Sequence, residues 1–569
     1  MATTASLSTG STRPLHQQVS GDQWVMRGAL MAVGLYLFVT VALPLYSLLT
    51  KSFQDRDGAF VGLANYLAYF SSPALFGALL HSIVIGLVTT IITVTLAFIY
   101  AYAVTRSRMA GRAIFRGIAL LPLLAPSLLP ALSLVYLFGN QGVLKGLLFG
   151  QSIYGPIGII IGEVFFTFPQ ALMILLTALG LADQRLYDAA TSLRTPPRRV
   201  FLTVTLSGCR YGIISACFVV FTLAFTDFGV PKVIGGGYNV LATDVYQQVV
   251  GQFNFQMGAV VGMILLAPAV LSFVVDRMMQ RRQVALVSAR AVPFQAGPDA
   301  RRDAFCLVVC CLVGLFILGM IGMAAYGSVI TYWPYNLGIT LRNYDFGAVA
   351  TNGWEPYWNS LILATATAVI GTAVVFSGAY LVEKSRGFRL VRNVVQFLCL
   401  LPLAVPGLVL GLAYIFFFNS PNNPLNFLYL TMAILVINTI AHFYTVCHLT
   451  AVTALKQLDP EFEAVSASLK VPVYRTLWRV IVPICLPAIV DIGVYLFVNA
   501  MTTVSAVVFL YSADTKLAAI AILNMDDAGK TANAAAMGMT IVATSGGLRL
   551  LQALAMRGIS RRSQAWRRR

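Results

Sequence analysis

Long apolar runs dominate this chain and limit what it can fold into. Segments 29–50, 83–104 and 257–275 carry almost no charge, and as helices of roughly 20 residues they can cross a hydrocarbon layer about 30 Å thick. Because no water reaches that layer, each backbone N–H and C=O must pair inside its own segment, which favours helices. Charged residues make up only 11% of the 569 residues, against about 25% in soluble domains. The composition therefore excludes a soluble globular protein.

Apolar runs of this kind recur along the whole sequence. Predicted spans lie near residues 28–49, 82–104, 115–138, 153–180, 209–228, 256–276, 304–326, 358–382, 393–418, 428–454, 486–510 and 533–556. The predicted fold class is therefore an all-α polytopic membrane protein with about 12 transmembrane helices. Residues 1–26 are polar and hold no apolar core, so the first span is predicted to be an uncleaved membrane anchor.

Positive charge is unevenly divided between the two sides that these spans define. With a cytoplasmic N-terminus, seven of the 39 lysines and arginines face outward, which leaves 32 on the cytoplasmic side. The outward residues are Lys51, Arg56, Lys145, Lys232, Arg342, Lys516 and Lys530. This positive-inside bias predicts a multi-pass bacterial inner-membrane protein with both termini in the cytoplasm. Because the cations do not cluster with aromatic residues on one domain, the sequence argues against nucleic-acid binding.

The sequence contains an internal repeat. A shift of 278 places Ala101-Tyr102 on Ala379-Tyr380, and a shift of 280 places Leu121-Pro122-Leu123 on Leu401-Pro402-Leu403. Each half holds six predicted spans, so both halves insert with the same orientation and form a parallel repeat about a pseudo-two-fold axis. The predicted units are an N-terminal tail (1–26), a first six-helix domain (27–282), a cytoplasmic linker (283–303), a second six-helix domain (304–556) and a basic tail (557–569).

A polar cytoplasmic loop is duplicated between spans four and five and between spans ten and eleven. A single shift of 276 places Asp183 on Asp459 and Arg194 on Lys470. Each loop begins with an acidic helix-start signal and continues with small side chains such as Ala189. A polar helix displayed twice beneath a membrane bundle predicts a docking element for a two-fold symmetric soluble partner. A plain solvated connection is the alternative.

These loops resemble the "EAA" motif of ABC importer permeases, whose pattern is Glu-Ala-Ala, a glycine four residues later and a hydrophobic-Leu-Pro tail. The residues carried over are Asp188, Ala189, Ala190, Leu193 and Arg194 in the first copy and Glu463, Ala464, Val465, Ser466, Leu469, Lys470 and Pro483 in the second. The resemblance implies the type I ABC importer permease fold, with each loop forming a coupling helix seated in an ATPase subunit.

This sequence departs from the motif at two places. The glycine is Arg194 in the first copy and Lys470 in the second. Glycine is the residue that most readily ends a helix in a left-handed turn, so its loss weighs against the usual tight turn. The first tail ends in Ser207 where the family has proline.

The fused two-copy arrangement resembles the ferric-iron and 2-aminoethylphosphonate branches of these permeases. Segment 226–246 looks like the outer loop that follows span five in this group, and segments 251–258, 503–511 and 524–529 look most like the 2-aminoethylphosphonate permeases. The resemblance implies a permease that works with two cytoplasmic ATPase subunits and a periplasmic substrate-binding protein, with no cofactor of its own because ATP is bound by a separate subunit. The implied cargo is 2-aminoethylphosphonate, with ferric iron or a polyamine as alternatives.

Two other classes of membrane protein are weighed against this interpretation. A major facilitator type transporter also has two parallel six-helix repeats, and segment 106–112 lies where that family keeps a Gly-rich Asp-Arg motif. That loop contains no acid, and the duplicated polar loops have no role in such a carrier. A membrane-embedded enzyme would need catalytic residues, for which the sequence offers no candidate set. No Gly-x-x-x-x-Gly-Lys-Ser/Thr loop occurs, so ATP hydrolysis by that route is excluded.

A few polar residues fall inside predicted spans, where they are costly and often functional. Glu163, Asp227 and Asn438 are candidates for the substrate path. Hydrogen bonding between helices is the alternative for Glu163, and Asp227 lies near a span end where it can reach water. His442 and His448 are six residues apart, which is poor spacing for two metal ligands on one helix face, so no metal site is predicted.

Overall fold

The chain is almost entirely helical. We describe a computed structural model, which covers residues 21–285, 292, 294–348, 352–385, 388–459, 461–469 and 471–563. Among these residues the sheet is limited to one antiparallel hairpin of β1 (Ile330–Tyr332) and β2 (Asn336–Ile339). The predicted all-α polytopic class is confirmed.

The first half of the described chain contains eleven helices. They are α1 (Gly21–Ser52), α2 (Ala64–Ser71), α3 (Pro73–Arg106), α4 (Arg112–Leu124), α5 (Leu128–Phe138), α6 (Pro156–Gly180), α7 (Gln184–Ser192), α8 (Pro197–Thr226), α9 (Gly229–Ile234), α10 (Leu241–Tyr246) and α11 (Phe255–Ala285). A π turn (Gln247–Gly251) continues α10.

The second half repeats most of this order. Its helices are α12 (Ala300–Val329), α13 (Glu355–Lys384), α14 (Arg389–Ala404), α15 (Gly407–Phe418), α16 (Met432–Lys456), α17 (Glu461–Ser468), α18 (Val473–Thr502), α19 (Ala518–Asp527) and α20 (Thr531–Ser563). Short 3₁₀ turns lie at Lys145–Leu148, Arg342–Tyr344, Phe346–Ala348 and Asn426–Leu428.

Two predicted spans are not straight helices. Segments 115–138 and 393–418, each predicted as one span, are bent helix pairs: α4 and α5 meet at 103°, and α14 and α15 meet at 116°. The described residues hold ten helices that can span a membrane, or twelve if each bent pair is one span. Each bend falls at a proline, because the ring forces the preceding residue out of the helical region. Ala125 and Val405, which precede Pro126 and Pro406, are extended.

Most helices extend beyond the apolar runs that predict them. The first helix begins at Gly21, inside the predicted tail 1–26, and α20 continues into the predicted basic tail. The predicted linker 283–303 overlaps the end of α11 and the start of α12. Polar residues continue a helix into water at no cost in backbone pairing, so hydropathy marks the lipid-facing part of each helix and misses its ends. Residues 1–20 and 564–569 lie outside the described residues.

The first long helix of each half packs against the other half. Helix α1 lies on α13, α14 and α15, and α12 lies on α3, α4 and α5. Close approach is possible because Gly34 faces Val395 and Gly314 faces Phe115. The two six-helix repeats therefore exchange their first helices: α1 adds Leu30 and Leu37 to the apolar core that contains most of the second half, and α12 adds Cys310 and Ile317 to the core of the first half.

A matched pair of buried hydrogen bonds marks the pseudo-two-fold relation. The hydroxyl oxygen of Ser82 accepts a bond from the backbone N–H of Leu241 at 2.8 Å, and that of Ser360 accepts one from Ala518 at 2.8 Å. In each half this serine ties the first turn of a short helix, α10 or α19, to a long one, α3 or α13. The short helices are therefore positioned by equivalent contacts.

We expect Ser82→Ala and Ser360→Ala each to destabilise the protein by about 1–3 kcal/mol, because each leaves a buried N–H without an acceptor. Thermal unfolding of the detergent-solubilised chain measures the loss. Ser133→Ala is the matched control, since the buried Ser133 hydroxyl donates to the Leu129 carbonyl within its own helix. Equal losses in all three variants would contradict this explanation.

Candidate functional site

The first duplicated loop forms α7, a short helix outside the membrane-spanning helices. Asp183 precedes it in an extended conformation, and its carboxylate accepts a hydrogen bond from the Arg185 N–H. This is the capping contact expected from an acidic residue at a helix start. Asp188 and Ala189 are exposed and Ala190 is buried. The helix therefore presents one face outward and packs the other against the protein.

Helix α7 ends in a tight turn although glycine is missing. Arg194 takes a left-handed conformation with φ of 49°. The Thr195 N–H donates to the Ala190 carbonyl at 2.9 Å and the Leu193 N–H donates to Ala189 at 3.0 Å. The expectation that losing glycine weakens this turn is not met in the first copy: arginine occupies the conformation that glycine usually takes.

The second duplicated loop forms α17 with a similar ending. The Glu461 N–H donates to the Asp459 carboxylate at 2.9 Å, and the Val471 N–H donates to the Ser466 carbonyl at 2.9 Å. Val465 and Leu469 are exposed. Pro483 is exposed within α18, and Glu463 and Ala464 lie in α17. Lys470 and the side chains of Glu463 and Ala464 lie outside the described residues.

Both loops expose large apolar side chains at matching positions. A shift of 276 places Leu186 on Phe462, Leu193 on Leu469 and Leu202 on Trp478. The exposed fractions are 57% for Leu186 and 47% for Phe462, 78% for Leu193 and 69% for Leu469, and 58% for Leu202 and 68% for Trp478. Leu186, Phe462, Leu202 and Trp478 were not among the predicted site residues. The repeat register alone would have paired them, but only the structure shows that they face outward.

The two loops differ in the segment that packs against them: the linker contacts the first loop, and α1 contacts the second. In the linker, Phe294 packs its ring 4.7 Å from the Tyr187 ring of α7, and the Arg106 guanidinium lies 4.0 Å from the same phenylalanine. After α17, the contact comes from α1: the Val473 N–H donates to the Asp22 carboxylate at 3.0 Å. The first copy is therefore held by the linker, through this aromatic contact and through hydrogen bonds such as that from the Gln184 N–H to the Val292 carbonyl at 2.9 Å, whereas the segment after the second copy is held by α1.

The two candidate acids of the substrate path lie side by side. Glu163 on α6 is fully buried, and its carboxyl group interacts electrostatically with that of Asp227. Asp227 follows α8 and accepts a hydrogen bond from the Val230 N–H at 2.8 Å, which caps α9. No hydrogen-bond partner of the Glu163 oxygens is found in the described part of the chain. The pair lies where α6, α8 and α9 meet, with Glu163 buried and Asp227 partly exposed.

The equivalent place in the second half contains no acid. Asn438 on α16 is fully buried, and its side-chain amide donates to the Ala506 carbonyl at 2.6 Å. This hydrogen bond fixes the irregular segment that follows α18 against α16. Nearby His442 and His448 are not part of a metal-binding group, and no such group of three or more ligands occurs in the described residues.

Arg194→Gly is expected to stabilise α7 by about 1 kcal/mol, because glycine adopts the left-handed conformation without the steric cost of a side chain. Hydrogen exchange of the α7 amides should slow by roughly fivefold. Ser192→Gly, in the last helical turn, is the control and should speed exchange, since glycine weakens helix interiors. Faster exchange in Arg194→Gly would contradict the assigned turn.

Glu163→Gln is expected to raise thermal stability by on the order of 1 kcal/mol, because a buried amide costs less than a buried carboxylate. Transport should change by less than about twofold if Glu163 only packs α6 against α9. Uptake into vesicles and thermal unfolding are measured on the same preparation. A large loss of uptake with unchanged folding would instead place Glu163 in the substrate path.

Comparisons with known proteins agree with this arrangement. Residues 379–561 match the family described as "Binding-protein-dependent transport system inner membrane component". A ferric transport system permease protein, FbpB, of Actinobacillus pleuropneumoniae is 28% identical over 95% of this chain and 80% of its own length. The spermidine/putrescine permease PotB of Escherichia coli strain K12 is 26% identical over 37% of this chain and 81% of its own length.

These relatives differ in length in an informative way. The FbpB relative aligns along nearly the whole chain, whereas PotB aligns with 37% of it and with most of itself. These coverages fit a chain that contains two permease-sized repeats. The predicted resemblance to the fused, binding-protein-dependent ABC importer permeases is confirmed, and these similarities support a multi-pass inner-membrane permease.

Proposed function

We propose that α7 and α17 are coupling helices, each seated on one of two cytoplasmic ATPase subunits. The observation that carries this proposal is the matched exposure of apolar side chains on both loops, Leu193 with Leu469 above all. Large apolar side chains gain free energy when a partner removes them from water. Two equivalent docking surfaces on one chain fit a partner with two-fold symmetry.

Movement of α7 can reach the membrane-spanning helices through the face of α7 that packs on the protein. The Tyr187 hydroxyl shares a hydrogen bond of 3.0 Å with the Thr205 hydroxyl in the π turn of α8. An equivalent π turn, Leu477–Ile481, occurs in α18 after α17. A shift of either coupling helix is therefore passed to a long helix that follows it directly in the chain. We propose that this coupled movement alternately opens the path between the two halves to either side.

The remaining assignments concern orientation and energy supply. The coupling helices belong to the side that carries 32 of the 39 lysines and arginines, which is the cytoplasmic side under the positive-inside rule. Both termini then lie in the cytoplasm. ATP binds to the separate ATPase subunits, and a periplasmic binding protein delivers the cargo to the opposite face.

Two cargoes are proposed, each on a different observation. The similarity of segments such as 251–258 and 524–529 to 2-aminoethylphosphonate permeases favours that zwitterion. The alignment with ferric transport permeases over most of the chain favours ferric iron. Equilibrium binding of both ligands to the partner binding protein separates these proposals, because only the true cargo is retained at micromolar concentration.

The double variant Leu193→Asp/Leu469→Asp is expected to lose ATPase association and ATP-driven uptake by at least tenfold. A carboxylate placed in each apolar contact would have to be desolvated on docking. Both positions are exposed, so folding should be preserved. Co-purification with the ATPase and uptake into vesicles are the two measurements.

Ala113→Asp/Asn393→Asp is the matched control for that variant. The two positions correspond under the repeat shift of 280, both are exposed, and they lie on α4 and α14 on the same side of the membrane. The control adds the same charge and should keep association and uptake. Normal association of the Leu193/Leu469 variant would remove α7 and α17 from the docking surface.

A further inference from the structure

The two halves also meet at the end of the bundle away from the coupling helices. Helix α9 runs back along α6, with Val230 against Gly162 and Ile234 against Gly158. The Gly155 N–H donates to the Ile234 carbonyl at 2.9 Å, just before α6 begins at Pro156. Helix α6 leads at its other end to α7, so α9 lies near the end of α6 that is remote from the coupling helix.

An ion pair crosses between the halves at this place. The Lys232 ammonium on α9 lies 3.1 Å from the Asp527 carboxylate at the end of α19. Their side chains are 25% and 51% exposed. Two other ion pairs, Arg302 with Asp303 and Lys456 with Glu383, each stay within the second half.

The same ammonium group lies near one ring of an aromatic pair that joins the two halves. Lys232 lies 5.8 Å from the centre of the Tyr246 ring on α10. Tyr246 in turn stacks on Phe509 of the second half, with ring centres 6.2 Å apart. The ion pair and the stacked rings therefore form one continuous contact across the line where the halves meet.

The repeat does not require charge at this position. The residues of the other half that correspond to Lys232 and Asp527 are Val508, at a shift of 276, and Val250, at a shift of 277. Val508 is buried and Val250 is exposed. The ion pair is thus specific to one of the two equivalent places, since the other has two valines.

We propose that the Lys232–Asp527 ion pair is a latch that closes the path between the halves at the end away from the coupling helices. The latch breaks when the path opens there to receive cargo. A partly exposed ion pair contributes little net stability, so it can break in each transport cycle. This inference rests on the proposed function, because it requires a pore that alternates between states.

The latch predicts how fast the transporter hydrolyses ATP when neither binding protein nor cargo is present. A contact present only in the closed state favours that state, so removing it shifts the population towards the state that is open at the remote end. Under the proposed function, the binding protein docks at this end and would stabilise the open state before ATP hydrolysis. Loss of the latch should therefore raise ATP hydrolysis in the absence of binding protein and cargo.

The test uses the full chain with its two ATPase subunits in lipid vesicles, and measures ATP hydrolysis without binding protein. Lys232→Met and Asp527→Asn should each raise this basal rate by about two- to fivefold, the range expected for one partly exposed ion pair. The exchange variant Lys232→Asp/Asp527→Lys restores the pair with reversed polarity and should return the rate towards that of the unmodified chain. Lys145→Met is the control, since Lys145 donates to the Asn140 carbonyl within the first half.

The outcomes separate the latch from the proposed function. An unchanged basal rate in both single variants, or no return in the exchange variant, overturns the latch and leaves the ATP-driven pore intact. A rise of the same size in Lys145→Met also overturns it, because the effect would then follow from any lost outer lysine. If the unmodified chain assembles with no ATPase, the proposed function fails and the latch fails with it.

Discussion

The structure depends on the requirement that backbone polar groups inside lipid be paired within the protein. Regular helices meet this requirement in their own segment, and breaks in a helix must be satisfied by neighbours. The side chains of Asp227 and Asn438 do this: Asp227 caps the short helix α9 that follows α8, and Asn438 bonds to the Ala506 carbonyl in the irregular segment after α18. Asp227 and Asn438 are therefore explained by the backbone groups that each helix break leaves to be paired. Those same breaks bring α9 and the segment around Phe509 to the line between the halves.

The long helices could be predicted because hydropathy reports directly on burial in lipid, and the repeat could be predicted because its polar loops keep their length. The bends at Pro126 and Pro406 could not, although both prolines were visible, because proline excludes the helical conformation before it and leaves the new direction open. The sequence also did not predict that α1 and α12 each pack against the other half. A helix that is apolar all round does not show which neighbour it packs against.

The candidate site was partly predictable for a similar reason. Asp183 and Asp459 follow local capping rules, which depend on residues one turn apart. The outward faces of Leu186 and Phe462 depend on how each loop packs beneath the bundle, and the Lys232–Asp527 pair joins residues 295 positions apart. Such contacts have no local signature. The duplicated halves have also diverged, so that an ion pair in one place corresponds to two valines in the other, and α7 contacts Phe294 whereas the start of α18 bonds to Asp22.

The central claim is that separate ATPase subunits bind this permease through both α7 and α17. Hydrogen exchange of the chain in vesicles, with and without the ATPase subunits, tests it most directly. The account predicts slower exchange in both 184–192 and 461–468 when the ATPase is added, with little change at the opposite face in the absence of nucleotide. Unchanged exchange in both segments, in a preparation that still transports its cargo, would contradict the account.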